Sequence, residues 1–409
     1  MPSTGDFTAV GVIAPAEAAE TASAVAQMLP PSLAPAFGAS FIRSGHLYNE
    51  FIHRLTLRVF RAAGLETAAR EPGRPQEIVA RAGLEVQRAL TPVDWILRRL
   101  AERGLLEEIG AGGEPRRFRV RQALPELDPA PISEEQRRQD PSWLPSYVLA
   151  DTVAQDYPAF LRGERTGEEI LFSATRLRLW VAFFSNENGL YAVSNLAGAI
   201  AVEEWMPPGP VAILELGGGM GSAAVALLQR LRMAGRWREI RDYRFTDIVP
   251  AFLRRGQQTL QTQFPDASCL KFASLDMNQP FSEQGAGPGS LSLVYAVNTL
   301  HVARDLDFTL REIFGALAPG GRLVISECVR PIPGEAIYTE FIFNLMETFR
   351  APVLHPVYRP NGGFLTPEQW RDAMETAGFV DVRTLPDIAR LRHRFPAFYV
   401  GAIGATRPA

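Results

Sequence analysis

Seven short apolar runs recur through the second half of the chain: Val211 to Leu216, Tyr243 to Ile248, Leu270 to Leu275, Leu291 to Val297, Arg322 to Cys328, Val380 to Thr384 and Ala397 to Ile403. Each has the length of a strand, and helical segments lie between most of them. That alternation predicts an α/β region with a mostly parallel sheet covered on both faces. The first half reads differently. From Ser44 to Ala63 the residues Leu47, Phe51, Ile52, Leu55, Leu57 and Phe60 recur every three to four positions, which predicts a buried helix. Pro75 opens a short helix that Gly83 ends, and Thr91-Pro92 opens a second with Val93, Ile96, Leu97 and Leu100 on one face. Leu105 to Ile109 and Phe118 to Val120 then read as two strands around the turn Gly110-Ala111-Gly112-Gly113.

These patterns divide the chain into four stretches. Residues 1–40, rich in Ala and Pro, read as a flexible tail with one short helix around Ala16 to Met28. Residues 41–125 carry the order helix, turn, helix, hairpin, a winged-helix pattern. Residues 126–208 form a helical connector and pocket wall, polar from Asp128 to Pro145 and mostly helical from Tyr157 to Trp205. Within it, Trp180 to Tyr191 mixes aromatic rings with amides, which suits interdomain packing first and a pocket wall second. Residues 209–409 hold the α/β region.

Composition narrows the function. At 409 residues there is room for about two domains. With 46% hydrophobic and 21% charged residues, full cores can form. The net charge of -3 gives no support to binding of nucleic acid or an anionic membrane. The winged-helix region itself, Pro75 to Gln122, sets nine Arg against seven acidic residues, whereas a DNA reader concentrates basic charge on one face. Cys269 and Cys328 are the only cysteines, too few for a disulfide framework, and they fit a reducing cytoplasm. Positions 1 to 40 contain no Lys or Arg, so no basic leader is expected, and the apolar runs stop well short of the ~20 residues of a membrane helix. The sole lysine is Lys271, the other 41 basic residues being Arg; no Gly-Lys pair exists for a P-loop, and a pyridoxal lysine has one poor candidate.

The segment Val211-Ala-Ile-Leu-Glu-Leu-Gly-Gly-Gly-Met-Gly-Ser222 carries the most information. An apolar strand runs into glycines and then into the helical Ala223 to Leu231, so bare N–H groups stand at a helix start. A nicotinamide pattern begun at Gly217 and Gly219 needs a third glycine at position 222, which is Ser222. The register spells Glu215, Gly217, Gly219, Gly221 instead.

This segment resembles the first motif of class I S-adenosylmethionine-dependent methyltransferases. The resemblance implies S-adenosylmethionine as cofactor, with Glu215, Gly217, Gly219 and Gly221 around it. It also implies Asp247 after the second strand on the ribose hydroxyls, Asp276 after the third on the adenine amino group, Met277 on the ring, and Asn298 beside the cofactor. Leu293 to Leu306 and Leu317 to Glu327 are similar to the C-methylating domains of polyketide synthases and, more loosely, to small-molecule O-methyltransferases. In both groups a histidine after the fourth strand removes a proton and an acid after the fifth orients it; His301 and Glu327 fall on those positions. The implied architecture is a Rossmann-like seven-stranded methyltransferase domain behind an N-terminal α-helical winged-helix dimerisation domain, hence a homodimer acting on a small polyketide-like or phenolic acceptor. Oxygen is slightly favoured over activated carbon, although Val302-Ala303 replaces the Asp-Trp usual after the histidine of the O-methylating group.

Two other readings stay open. His301, Glu327 and His355 have the ligand types of a two-histidine, one-carboxylate metal site serving a bidentate keto acid. A winged-helix regulator sensing S-adenosylmethionine is the second. Phe341, Phe343, Leu345, Met346 and Phe349 form a stripe that encloses an acceptor or, more often, belongs to a core.

Overall fold

The computed structural model describes residues 12–110, 115–392, 395 and 399–409. Residues 111–113 of the expected turn, residues 397 and 398 of the last expected strand and residues 1–11 of the expected tail lie outside them. The chain forms two compact units. One comprises Met1–Ala18, Ala39–Trp180 and Ala336–Arg350; the other comprises Ala19–Gly38, Val181–Glu335 and Ala351–Ala409. The boundaries at 125 and 208 therefore do not mark compact units. Long-range packing crosses them, a relation that local composition does not carry.

In the first unit the long helix Ala39–Ala62 buries Leu47, Phe51, Ile52, Leu55, Leu57 and Phe60 as its spacing predicts. The helix Pro75–Arg81 follows, then Val86–Glu102. Thr91-Pro92 is not a helix start: Glu85 is the N-cap, its carboxylate accepting from the N–H groups of Gln87 (3.1 Å) and Arg88 (2.8 Å). Pro92 sits inside the helix, and the Arg88 carbonyl, which would have taken its missing N–H, accepts from Arg350 Nη1 at 3.5 Å. The strands β1 (Glu107–Ile109) and β2 (Arg117–Arg119) pair antiparallel. The expected polar connector contains the helix Ala130–Gln139, anchored by buried Gln136 on the Ser44 hydroxyl at 2.9 Å. The stripe at 341–349 is core: Phe341 packs on Trp95 and Tyr157, and Phe343 on Trp180 and Phe349.

The second unit holds the sheet. Its strands are β3 (Val211–Leu216), β4 (Ile240–Thr246), β5 (Leu270–Ala273), β6 (Leu291–Val297), β7 (Leu317–Cys328), β8 (Val380–Leu385) and β9 (Val400–Thr406), in the order β5-β4-β3-β6-β7-β9-β8. Strands β3 to β7 are parallel, and β9 runs antiparallel between β7 and β8. All six residues of β3 are buried, as a strand covered on both faces requires. One face packs Leu214, Leu216, Val294, Ala296, Leu323 and Ile325 against Leu306, Leu310 and Ile313 of the helix Leu306–Ala316. Strand order reverses between β3 and β6, the point where open α/β sheets bind ligands beyond the carboxyl ends of their strands. The expected tail is corrected within its described part: the expected short helix runs over Pro15–Ala26, and beyond it Leu29, Leu33 and Phe37, spaced four apart, are buried, so apolar side chains hold this stretch down.

Candidate active site

The bend after β3 is a glycine structure by necessity. Gly217, Gly219 and Gly221 have φ of 60, 58 and 85°, in the left-handed region. A Cβ on Gly217 would lie 2.4 Å from Thr299 Cγ2, and one on Gly218 would lie 2.2 Å from the Phe245 ring. A Cβ on Gly219, by contrast, would meet nothing within 4 Å, so open space lies over that residue. The helix Ser222–Met233 starts immediately after, which directs its first N–H groups toward the bend.

The acids around the bend differ in environment. Asp247 follows β4; its Oδ2 accepts from Gly219 N–H at 2.9 Å and its Oδ1 from Val249 N–H at 2.7 Å. Burial raises its carboxyl pKa despite these two donors. Glu215 lies deeper, at 1% exposure, with Oε2 accepting from the Tyr243 hydroxyl at 2.8 Å and Oε1 buried with no hydrogen-bond partner among the described residues. Burial pushes its carboxyl up to about 8. Asp276, after β5, is half-buried; its Oδ1 accepts from the Asn278 N–H at 2.9 Å, and Gln284 brackets its backbone. Met277 packs on the core beside it.

Beyond β6 the chain makes the short turn Leu300–Val302, which presents His301. His301 Nδ1 lies 2.7 Å from Glu327 Oε2, with His301 3% and Glu327 0% exposed. The other oxygen, Oε1, accepts from the N–H groups of Thr299 (3.1 Å) and Leu300 (2.8 Å). A carboxylate held at both oxygens orients the ring, and its acceptor character makes Nδ1 the protonated nitrogen and Nε2 the basic one. Phe364 packs on the imidazole with centroids 4.6 Å apart. Thr299 lies between the two halves of the site: its hydroxyl is shared between Val297 O at 3.0 Å and Gly217 O at 3.3 Å.

Asn298, expected beside the cofactor, has φ of 48° and accepts at Oδ1 from the Cys328 N–H at 2.7 Å, tying the end of β6 to the end of β7. Its side chain also shares a hydrogen bond with the Tyr191 hydroxyl. Burial, with Glu327 and Glu215 near, raises that phenol above the usual tyrosine range. Tyr191 and Thr299 were not singled out in the sequence; Tyr191 stood only as the last residue of an aromatic and amide stretch. His355 is not brought into a metal site. Its ring stacks on Tyr358 at 3.8 Å, its Nδ1 accepts from Val357 N–H at 3.3 Å, and among the described residues no three His, Cys, Asp or Glu side chains are grouped to hold a metal ion. No helix among the described residues is long and apolar enough to cross a membrane.

Comparison with known proteins follows the same lines. Residues 214–323 match the family described as a methyltransferase domain. Highly reducing polyketide synthase 2 of Gibberella zeae is 29% identical over 245 residues, 58% of this chain and 9% of that protein. The polyketide synthase ThaQ of Burkholderia thailandensis is 27% identical over 360 residues, 83% of this chain and 16% of that protein. This chain thus spans less than a fifth of either relative. The crystal structure of the CurJ carbon methyltransferase superimposes with a TM-score of 0.75 at 22% identity, covering 97% of this chain and 99% of that one. The citrinin polyketide synthase CMeT domain superimposes with a TM-score of 0.72 at 18% identity, covering 98% and 100%.

Proposed function

Taking as premise that the chain is an S-adenosylmethionine-dependent methyltransferase, with its methyltransferase domain at residues 214–323, we propose that it methylates an activated carbon of a polyketide-like acyl chain, with His301 as general base. The observation that carries this reading is the buried pair His301–Glu327 at the strand ends beside the glycine bend. The bend fits the cofactor: open space over Gly219 leaves room for it, and the carboxylate of Asp247 stands at Gly219 with lone pairs to accept from two adjacent hydroxyls. Glu215, Gly217 and Gly221 shape that cradle, and Asp276 with Met277 would hold the base. When bound, S-adenosylmethionine supplies an electrophilic methyl carbon on a sulfonium.

The chain's own residues handle the proton. A carbon between two carbonyls is a nucleophile only after losing a proton, so its C–H bond must break before the new C–C bond forms; the methyl group's C–S bond would break in that transfer, its electron pair staying on a neutral thioether. That proton goes to His301 Nε2, and the positive charge gained by the ring lies against Glu327. Because Thr299 and Leu300 hold the far oxygen of Glu327, the ring keeps its aim through the transfer. Carbon is preferred to oxygen because both relatives described are polyketide synthases, one structural neighbour is a carbon methyltransferase and the other is the CMeT domain of a polyketide synthase. The helix, helix and hairpin order over residues 75–119 supports a winged-helix dimerisation module, and hence a homodimer, which light scattering of the purified chain would test.

The functional test is incubation with ¹³C-methyl S-adenosylmethionine and the N-acetylcysteamine thioester of acetoacetate, read by NMR. A methyl signal bonded to carbon supports the proposal. A methoxy signal overturns carbon as acceptor, and no transfer to this or longer β-ketoacyl thioesters overturns the acceptor class.

A further inference from the structure

Arg359 is 1% exposed and serves no role in the mechanism above. Its guanidinium reaches back to the turn that carries the base: Nη2 donates to the carbonyl of His301 at 2.7 Å and Nη1 to the carbonyl of Ala303 at 2.8 Å. The two carbonyls flank Val302, so one planar fork fixes the backbone on both sides of the turn's last residue. Arg359 is itself set rigidly. Its N–H and carbonyl exchange hydrogen bonds with His355 at 3.0 and 2.9 Å, and the preceding ring, Tyr358, stacks on the His355 imidazole.

The stretch around Arg359 closes on His301 from several directions. Val353 N–H donates to Arg304 O at 2.7 Å, and Phe364 covers the imidazole face. Burying a guanidinium is costly unless an opposite charge offsets it. Burial lowers the Arg359 pKa to about 10, while Asp305, Tyr358 and Glu327 act the other way.

We propose that Arg359 is a positioning residue for methyl transfer: its fork holds the 301–303 backbone so that the imidazole stays aligned on Glu327. The proposal rests on the reading of His301 as base and adds a residue that acts through the backbone of the turn carrying it. It also separates two roles within the site. The glycine bend shares no side-chain hydrogen bond with Arg359, so loss of the fork is expected to spare cofactor binding.

The test compares Arg359→Met, which removes the charge and both donors, with Arg359→Lys, which keeps the charge but can satisfy one carbonyl at a time. Methyl transfer, affinity for S-adenosylhomocysteine by calorimetry, and the downfield Nδ1 proton signal of His301 in ¹⁵N-histidine-labelled protein are measured together. Arg359→Met should lower kcat about 100-fold, leave cofactor affinity within about twofold and abolish the downfield signal, with Arg359→Lys recovering about tenfold of the kcat. An unchanged kcat and proton signal in Arg359→Met overturns the proposal. So does a fall in kcat matched by an equal loss of cofactor binding, or one that Arg359→Lys fails to recover at all. The wild type run in parallel distinguishes the two levels: no transfer by wild type is a failure of the methylation reading, whereas transfer by wild type and Arg359→Met alike is a failure of the positioning role alone.

Discussion

The bend after β3 and the turn after β6 stand on neighbouring strands, with the Thr299 hydroxyl between them, yet they are built by opposite means. The bend is made of missing side chains: three glycines with positive φ, one of them without room for even a methyl group. The turn is made of side chains drawn from distant positions: Glu327 from β7, Phe364 and Arg359 from beyond it. A backbone site is rigid and intolerant, so a single Cβ in it disturbs binding. A side-chain site can lose one member while its neighbours stay in place. Binding and proton removal should therefore separate on mutation.

The largest separation is expected at His301. His301→Ala should lower turnover ~100-fold or more, the scale of lost general-base help, while affinity for S-adenosylhomocysteine stays within about twofold. Steady-state kinetics and calorimetry on one preparation check this, and an unchanged turnover would remove the histidine from the mechanism. Asp247→Ala breaks the comparison from the other side. A hydrogen bond to a charged group contributes about 1.5–3 kcal/mol, so cofactor affinity should fall by ~10- to 100-fold, and saturating cofactor should restore much of kcat.

Smaller effects test the bend itself. Gly217→Ala puts a side chain at φ 60° and against Thr299, so it should cost ~1–2 kcal/mol for the left-handed backbone and more if Thr299 cannot move. Denaturant unfolding checks it, and an unaltered midpoint contradicts the crowded bend. The smallest effect concerns Glu215, whose carboxyl is raised from 4.5 to about 8 by burial. The folded chain then holds a proton that the unfolded chain has lost between those values. Its contribution to stability is complete below about 4.5 and is lost as pH rises through about 8. Melting temperature should fall over that interval in the wild type and fall less in Glu215→Gln. Equal slopes would show that Glu215 does not carry the effect.

The same contrast explains what the sequence made legible. The glycine bend and the apolar strands were readable because each leaves a local mark, a glycine-rich register or an apolar run, whereas Asp247 was named only through resemblance. Six of the seven strands lie within a few residues of their apolar runs, and the seventh, β7, starts earlier, at Leu317. His301 and Glu327 were readable only through resemblance, because nothing in their spacing shows that they meet. Arg359 left no mark at all. It bonds to backbone carbonyls 56 and 58 residues away, and a carbonyl looks the same whatever residue bears it. The helix start read at Thr91-Pro92 failed for a related reason: an ordinary glutamate caps the helix, and a distant arginine occupies the carbonyl that Pro92 leaves without its amide.

The central claim is that the carboxyl ends of neighbouring strands carry two separable functions, and calorimetric titration of S-adenosylhomocysteine into wild type, Asp247→Ala and His301→Ala tests it most directly. The account predicts binding to the wild type, equal binding to His301→Ala, and ~10- to 100-fold weaker binding to Asp247→Ala. Absence of heat with the wild type, or equal loss in both variants, would contradict it.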